Sequence, residues 1–254
     1  MDIELKQEGK YKFLDLGEGQ TVVLLHGLMG ALSNFQSLTD FLVEKGYRVL
    51  MPVLPIYDLP LLKTSAKNIA KFLNDFVEYK NLKDITLIGN SLGGHVGLIF
   101  SKEHPDLVKR LVLTGSSGLY ENAMGDSFPK RGNYEYIEQK AKDVFYDPAI
   151  ATKELVDDVY ATVNDRIKAL KTLSIAKSAI RHNMKNDLPN MQHPTCLIWG
   201  KQDGVTPPEA AEDFHRLMPN SDLFWIDKCG HAAMMEKPEE FNKVLHDWFT
   251  ARNI

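Results

Sequence analysis

Cysteine is scarce in this chain: Cys196 and Cys229 are the only two in 254 residues. That is too few for a disulfide framework. Both fall within or beside apolar strand-like segments, where cysteine serves as a small buried hydrophobe. Long apolar runs are also missing. Nothing approaches the roughly 20 residues of a membrane-spanning helix, so no membrane span is expected. The opening stretch, MDIELKQEGKYKFLDLG, has neither the basic start nor the apolar core of a secretion leader, and the expected location is the cytoplasm. No lysine or arginine run is long enough to track a phosphate backbone, and 30 basic against 34 acidic residues leave a net charge of −4. Nucleic acid is therefore not an expected partner. Internal repeats and low-complexity segments are absent too, and nothing in the pattern sets an oligomeric state.

What the chain does have is apolar content, 44%, enough for one large core or a core with a sizeable insertion. Residues 2–6 and 11–16 alternate around Glu8-Gly9-Lys10, which predicts an antiparallel hairpin at a sheet edge. Short, nearly continuous apolar runs follow at 21–25, 47–51, 85–88, 110–113, 195–199 and 223–226, as expected of parallel strands covered on both faces. Helix-like stretches at 34–45, 65–80 and 92–104 alternate with them, and this order predicts a doubly wound, mostly parallel, eight-stranded α/β sheet. After Pro238, the residues Phe241, Val244, Leu245, Trp248 and Phe249 recur at helical spacing.

One interval breaks the alternation. From Thr114 to Thr195 the chain is far longer than the ~2–6 residues of an ordinary strand–helix connection. It opens on Gly115-Ser116-Ser117-Gly118 and then shows helix-like segments near 133–146, 150–162 and 164–183. We read residues 1–116 and 191–254 as the core, and 117–190 as a helical cap inserted between the sixth and seventh strands.

Gly89-Asn90-Ser91-Leu92-Gly93 lies between an apolar strand and a helical run, the context in which a G-x-S-x-G pattern becomes informative. A sharp strand-to-helix turn strains its central residue and leaves room only for glycine beside it. The strain lifts the Ser91 hydroxyl above the strand ends, over the positive end of the helix. A serine that merely caps the helix would explain Ser91 but not both glycines. Serine needs a base. Of eight histidines, His231 in Cys229-Gly230-His231 sits just past the last apolar strand, whereas His95, His104, His182, His193 and His246 fit helix-surface or packing roles. Asp203, after the strand Cys196–Trp199, is the candidate carboxylate to orient that histidine, although an Asp before glycine is also a common turn residue. Asp227, four residues before His231, is its rival. The loop His26-Gly27-Leu28-Met29-Gly30 brings small residues to the same sheet edge. We assign the oxyanion donors to the backbone N–H groups of Leu28 and Leu92, and give His26 a bracing role.

Taken together, HG at 26–27, GNSLGG at 89–94, LIWGKQD at 197–203 and GH at 230–231 resemble the α/β-hydrolase superfamily over nearly the whole chain. The order Ser, Asp, His is the order used by that fold. The resemblance implies nucleophilic attack by Ser91 on a carbonyl, proton transfer by His231 and an acyl-enzyme resolved by water, with no metal and no organic cofactor. Serine at the elbow argues against the haloalkane dehalogenase and epoxide hydrolase branches, which carry aspartate there. The GNS elbow is similar to that of the carbon–carbon bond hydrolases of aromatic degradation. Those tend to have Gly-Pro-Gly soon after HG and tryptophan after the histidine, where this chain has Leu28-Met29-Gly30 and Ala232.

The expected activity is hydrolysis of a carboxylic ester or related small acyl substrate. Cleavage of a diketone-type carbon–carbon bond is the second reading, and a non-catalytic binding member of the fold the third. Gly27, Asn90 and Arg181 are the candidate substrate contacts. The aromatic-rich start of the cap, Tyr120, Met124, Phe128, Tyr134, Tyr136 and Phe145, supplies a pocket wall or, for most of them, the cap's own core.

Overall fold

In the computed structural model, residues 4–120 and 130–252 are described. Eight strands form one sheet: β1 (Lys6–Glu8), β2 (Tyr11–Leu16), β3 (Gln20–Leu25), β4 (Tyr47–Pro52), β5 (Ile85–Asn90), β6 (Val108–Thr114), β7 (Thr195–Gly200) and β8 (Ser221–Ile226). Their spatial order is β1-β2-β4-β3-β5-β6-β7-β8. The two pairs that involve β2 are antiparallel and all the others parallel. The hairpin expected from the sequence is present, with Lys6–Glu8 as its first strand; of the 2–6 expected there, residues 2 and 3 lie outside the described residues and Glu4 and Leu5 are not in the strand. Glu8 pairs directly with Tyr11 across the two-residue turn at Gly9-Lys10, with Gly9 at φ 55°, and this tight turn draws the strand up to the corner.

The central strands are largely buried, β5 and β7 throughout, because helices cover both faces, and their apolar side chains alternate between two cores. Val23, Leu25, Leu87, Leu111, Leu113, Leu197 and Trp199 point to one. There they meet α2 (Ala66–Tyr79), α3 (Leu92–Glu103) and α7 (Pro208–Leu217) through residues such as Leu73, Phe76, Phe100 and Phe214. Val22, Leu24, Val49, Ile88, Val112, Cys196 and Ile198 point to the other, against Leu38 and Leu42 of α1 (Gln36–Glu44) and Phe241, Leu245, Trp248 and Phe249 of α9 (Pro238–Ala251). The apolar pattern of the sequence had not singled out α7. Cys196 and Cys229 are buried free thiols.

Between β6 and β7 the chain forms α4 (Tyr134–Lys142), α5 (Lys153–Asn164) and α6 (Arg166–Arg181). Each starts on a capping side chain: Asn133 accepts from Tyr136 N, Thr152 from Leu155 N, and Asp165 from Ile167 N and Lys168 N. Helix α4 stops earlier than the 133–146 stretch predicts, because Val144 leaves the helix and its carbonyl accepts from His231 N at 2.9 Å. Among the described residues no helix is long and apolar enough to cross a membrane.

Candidate active site

Ser91 lies at the turn from β5 into α3, with φ 55° and ψ −121°, a conformation that non-glycine residues adopt only under constraint. The constraint comes from the backbones packed around the turn. A Cβ at Gly93 would strike the Leu25 carbonyl, and one at Gly89 would lie 2.5 Å from Gly94 N. Gly93 therefore lets the elbow press against β3, and Gly89 lets the first turn of α3 fold back on the end of β5. Ser91 N donates to Thr114 O at 3.2 Å, and Ser91 O accepts from Ser117 N at 3.1 Å, which fixes the turn to the end of β6.

His231 lies beyond β8, before the short helix α8 (Ala233–Glu236). Its Nδ1 is 2.9 Å from Asp203 Oδ2 and 3.1 Å from Oδ1, with both residues buried. The carboxylate only accepts, so Nδ1 is the donor of this pair. Asp203 is held by its own loop: Val205 N and Thr206 N donate to Oδ1 at 2.8 and 2.9 Å, and Thr206 Oγ1 donates to Oδ2 at 2.8 Å. The rival acid Asp227 is exposed and sits 3.6 Å from Lys201 Nζ, whose charge lowers its pKa. Space for the imidazole is made by Gly115 at the end of β6, where a Cβ would lie 2.8 Å from His231 Nδ1.

Glu236, which sequence reasoning had not picked out, is a buried carboxylate that accepts from Gly230 N at 2.6 Å and from Asp147 N at 2.5 Å. It ties the loop of His231 to the segment after α4. Thr206 was also missed. The signal for it was an acid followed at short range by a hydroxyl residue, Asp203-Gly204-Val205-Thr206. Glu236 left no such trace, because its partners are backbone groups from distant parts of the chain.

A cavity of about 510 Å³ joins these groups. Ser91, His231, Gly27, Leu28, Asn90, Leu92 and Ser117 line it from the sheet side. Leu28 sits in a turn closed by Gly30 N donating to Gly27 O at 3.1 Å, with Met29 at φ 58°, and Leu92 is the first residue of α3. Both backbones thus border the cavity beside Ser91. Asn90 lines it too, but its Nδ2 donates to Thr114 O at 3.0 Å and to His231 O at 3.2 Å, so the amide braces β5, β6 and the His231 loop. His26 is similarly occupied. Its ring lies 3.0 Å from Gly27 O and 3.3 Å from Leu54 N, and burial lowers its pKa, so it stays neutral and props the loop.

The inserted helices supply the far wall through Val144, Phe145, Leu155, Thr172, Ile175 and Ala179. Phe145 is therefore a wall residue. Tyr120 is exposed, Tyr134 stacks with Tyr160 and donates to Asp157, and Met124 and Phe128 lie outside the described residues. Arg181 is corrected as a substrate contact. It ends α6 exposed and outside the cavity lining, because the helix turns that face to solvent. The lysines in the lining, Lys140 and Lys177, are exposed at the rim, as are Glu154 and Asp158.

A strained serine at a helix N-terminus, an oriented histidine and flanking backbone amides around one apolar cavity form an arrangement suited to acyl transfer. The chain matches the family model described as "alpha/beta hydrolase fold" over residues 20–191 and 171–238 and belongs to that family of hydrolases. Among solved structures it is similar to an alpha/beta hydrolase enzyme from the metagenome of sediments of the lagoon of Mar Chica, Morocco, with 53% identity, a TM-score of 0.83, and coverage of 99% of this chain and 100% of that one. A relative from Metapseudomonas resinovorans, 2-hydroxy-6-oxo-6-(2'-aminophenyl)hexa-2,4-dienoic acid hydrolase, is 31% identical over 95% of this chain and 88% of its own length. A Pseudomonas sp. 2-hydroxy-6-oxononadienedioate/2-hydroxy-6-oxononatrienedioate hydrolase is 27% identical over 95% and 97%.

Proposed function

We propose that the protein is a serine hydrolase that cleaves a neutral carboxylic ester, or a related small acyl compound, through an acyl-enzyme. Ser91 is the nucleophile, His231 the base and Asp203 its orienting carboxylate, with Leu28 N–H and Leu92 N–H as oxyanion donors. The helices between β6 and β7 act as the cap, residues 117–190, over a core of 1–116 and 191–254. In this reading Ser91 Oγ attacks the acyl carbon as its proton passes to His231 Nε2. The leaving alcohol takes that proton as the C–O bond breaks, and water repeats the sequence on the acyl-enzyme to release the acid.

The observation that carries the ester reading is the charge of the lining. The hydrolase relatives act on compounds whose names specify carboxylates, and such a group needs a cationic partner once it leaves water. Among the described residues the cavity interior offers none, since its lysines stand at the exposed rim. Residues 121–129 contain neither lysine nor arginine. A carbon–carbon bond substrate bearing a carboxylate would meet an apolar wall.

Covalent labelling by a fluorophosphonate probe, lost in Ser91→Ala, tests the nucleophile. A nitrophenyl ester series run beside a 2-hydroxy-6-oxo-dienoate tests the substrate. Faster turnover of the dienoate than of every ester would replace this reading with carbon–carbon cleavage, and a folded protein that takes no label would point to a binding role. The kcat/KM for esters rises with pH as His231 sheds its proton, and a flat acid limb would remove His231 as base.

A further inference from the structure

Helix α6 carries an outer surface of which the cavity accounts for only one end. Its 16 residues, Arg166–Arg181, include five basic side chains and no acidic one, in a chain whose net charge is −4. The inner face buries Thr172, Ile175 and Ala179. Outside, Ile167, Leu170 and Ile180 are 60%, 43% and 51% exposed. With Leu173 and Lys177 they recur at steps of three and four residues and so form one stripe. Leu173, Lys177 and Ile180 also line the cavity, so the stripe runs into its mouth.

The turn Leu61–Lys63 adjoins this helix, joined to it where Ser174 Oγ donates to Thr64 O at 3.0 Å and Lys171 Nζ to Tyr57 O at 2.7 Å. Leu61 is 46% exposed and Leu62 wholly exposed, beside Lys63. Large apolar side chains in water on a helix whose charged side chains are all cationic are the pattern of a helix that lies in the boundary of an anionic bilayer. The acidic side chains of the mouth, Glu154 and Asp158, lie on α5 and not on α6, so the α6 side is the one that meets the lipid.

We propose that α6 and the Leu61–Lys63 turn dock on anionic lipid surfaces and that the adjoining mouth takes acyl esters carried by that surface. The substrate part rests on the ester reading above; the docking part does not. Flotation of the full chain with phosphatidylcholine vesicles, with and without phosphatidylglycerol, tests the docking. Binding is expected to the anionic vesicles only and to weaken as salt shortens the reach of the charges. Leu62→Asp combined with Ile167→Asp should cut it tenfold or more while keeping the wild-type melting temperature, and Lys168→Glu should cut it several-fold. No binding at low salt, equal binding by the double variant, or a wild-type dimer that the double variant dissolves would each overturn the proposal, the last by showing that a second copy covers the stripe. Vesicle binding by a chain that hydrolyses no ester would leave the docking in place and remove the ester reading.

Discussion

Ten of the 12 residues of α3 are buried, as is every residue of β5 and β7, whereas α6 buries three of its 16 and α5 only Val156 and Val163 of its 12. Ser91 and Asp203 therefore adjoin elements with no room to shift, and the far wall of the cavity stands on helices held by one thin face each. Precision of about half an ångström in reacting groups requires the first kind of support, while admission of an apolar molecule to a covered cavity is served by the second. The two regions meet at a few points. Val144 and Asp147 are bonded to the His231 loop, and His95 Nε2 lies 3.0 Å from His182 Nδ1, which joins α3 to the end of α6.

The largest effects are expected on the rigid side. Ser91→Ala should lower kcat on an activated ester by about 10⁶-fold, and Asp203→Asn by about 10⁴-fold, with little change in melting temperature for the serine variant. Losses under a hundredfold in both would mean that the arrangement around Ser91 is not the seat of turnover. Gly93→Ala should come next and acts on the fold itself. Its Cβ meets the Leu25 carbonyl, which belongs to a central strand, so neither partner can give way, and a loss of about 3 kcal/mol or more is expected by urea titration. The same substitution at exposed Gly132, whose added Cβ meets nothing, should be nearly silent.

The contrast also explains what could be read without coordinates. Strand positions, the elbow, and the order of Ser91, Asp203 and His231 were legible because each is a local pattern: an apolar run, a pair of glycines, a polar residue just past a strand. The bracing of the site was not. Asn90 looked like a substrate contact because it neighbours Ser91, yet its amide is spent on Thr114 and His231 carbonyls, and Glu236 works through backbone groups far apart in the chain. In the inserted segment three helices were legible from periodicity. The face each turns to the cavity was not, because α6 is apolar on two sides, and Arg181 was placed at the substrate when it belongs to the outer one.

The seam between the regions should make itself felt through pH. Burial, reinforced by the neighbouring imidazole, pushes His95 down to about 3, and burial together with Lys67 and Lys102 lowers His182. The His95 ring is then neutral in the folded protein at pH values where the unfolded chain, with imidazoles near about 6.5, takes up protons. The unfolded state binds the extra proton, so the contribution of His95 is complete above about 6.5 and is lost as pH falls toward about 3, and the lowered His182 acts in the same direction. His95 gives a slope of about 1.4 kcal/mol per pH unit within that window. Urea midpoints at pH 7.5 and 5.0 measure it, and His95→Asn should flatten the difference. An unchanged slope would show that the seam does not titrate.

The smallest effect sharpens the comparison most. Ser65 caps α2 by accepting from Asn68 N at 3.2 Å, and Asp165 caps α6 by accepting from Ile167 N and Lys168 N at 2.9 Å each. Both caps satisfy first-turn N–H groups, but α2 buries six residues in the core and α6 three. Ser65→Ala should remove about 1 kcal/mol from global unfolding, because α2 comes apart only with the sheet. Asp165→Ala should leave the global midpoint nearly unmoved and instead speed amide exchange a few-fold in the first turns of α6. Equal shifts of the global midpoint by both variants would mean that the inserted helices unfold with the sheet as one unit, and the thin faces that hold them would then not make them the more mobile part.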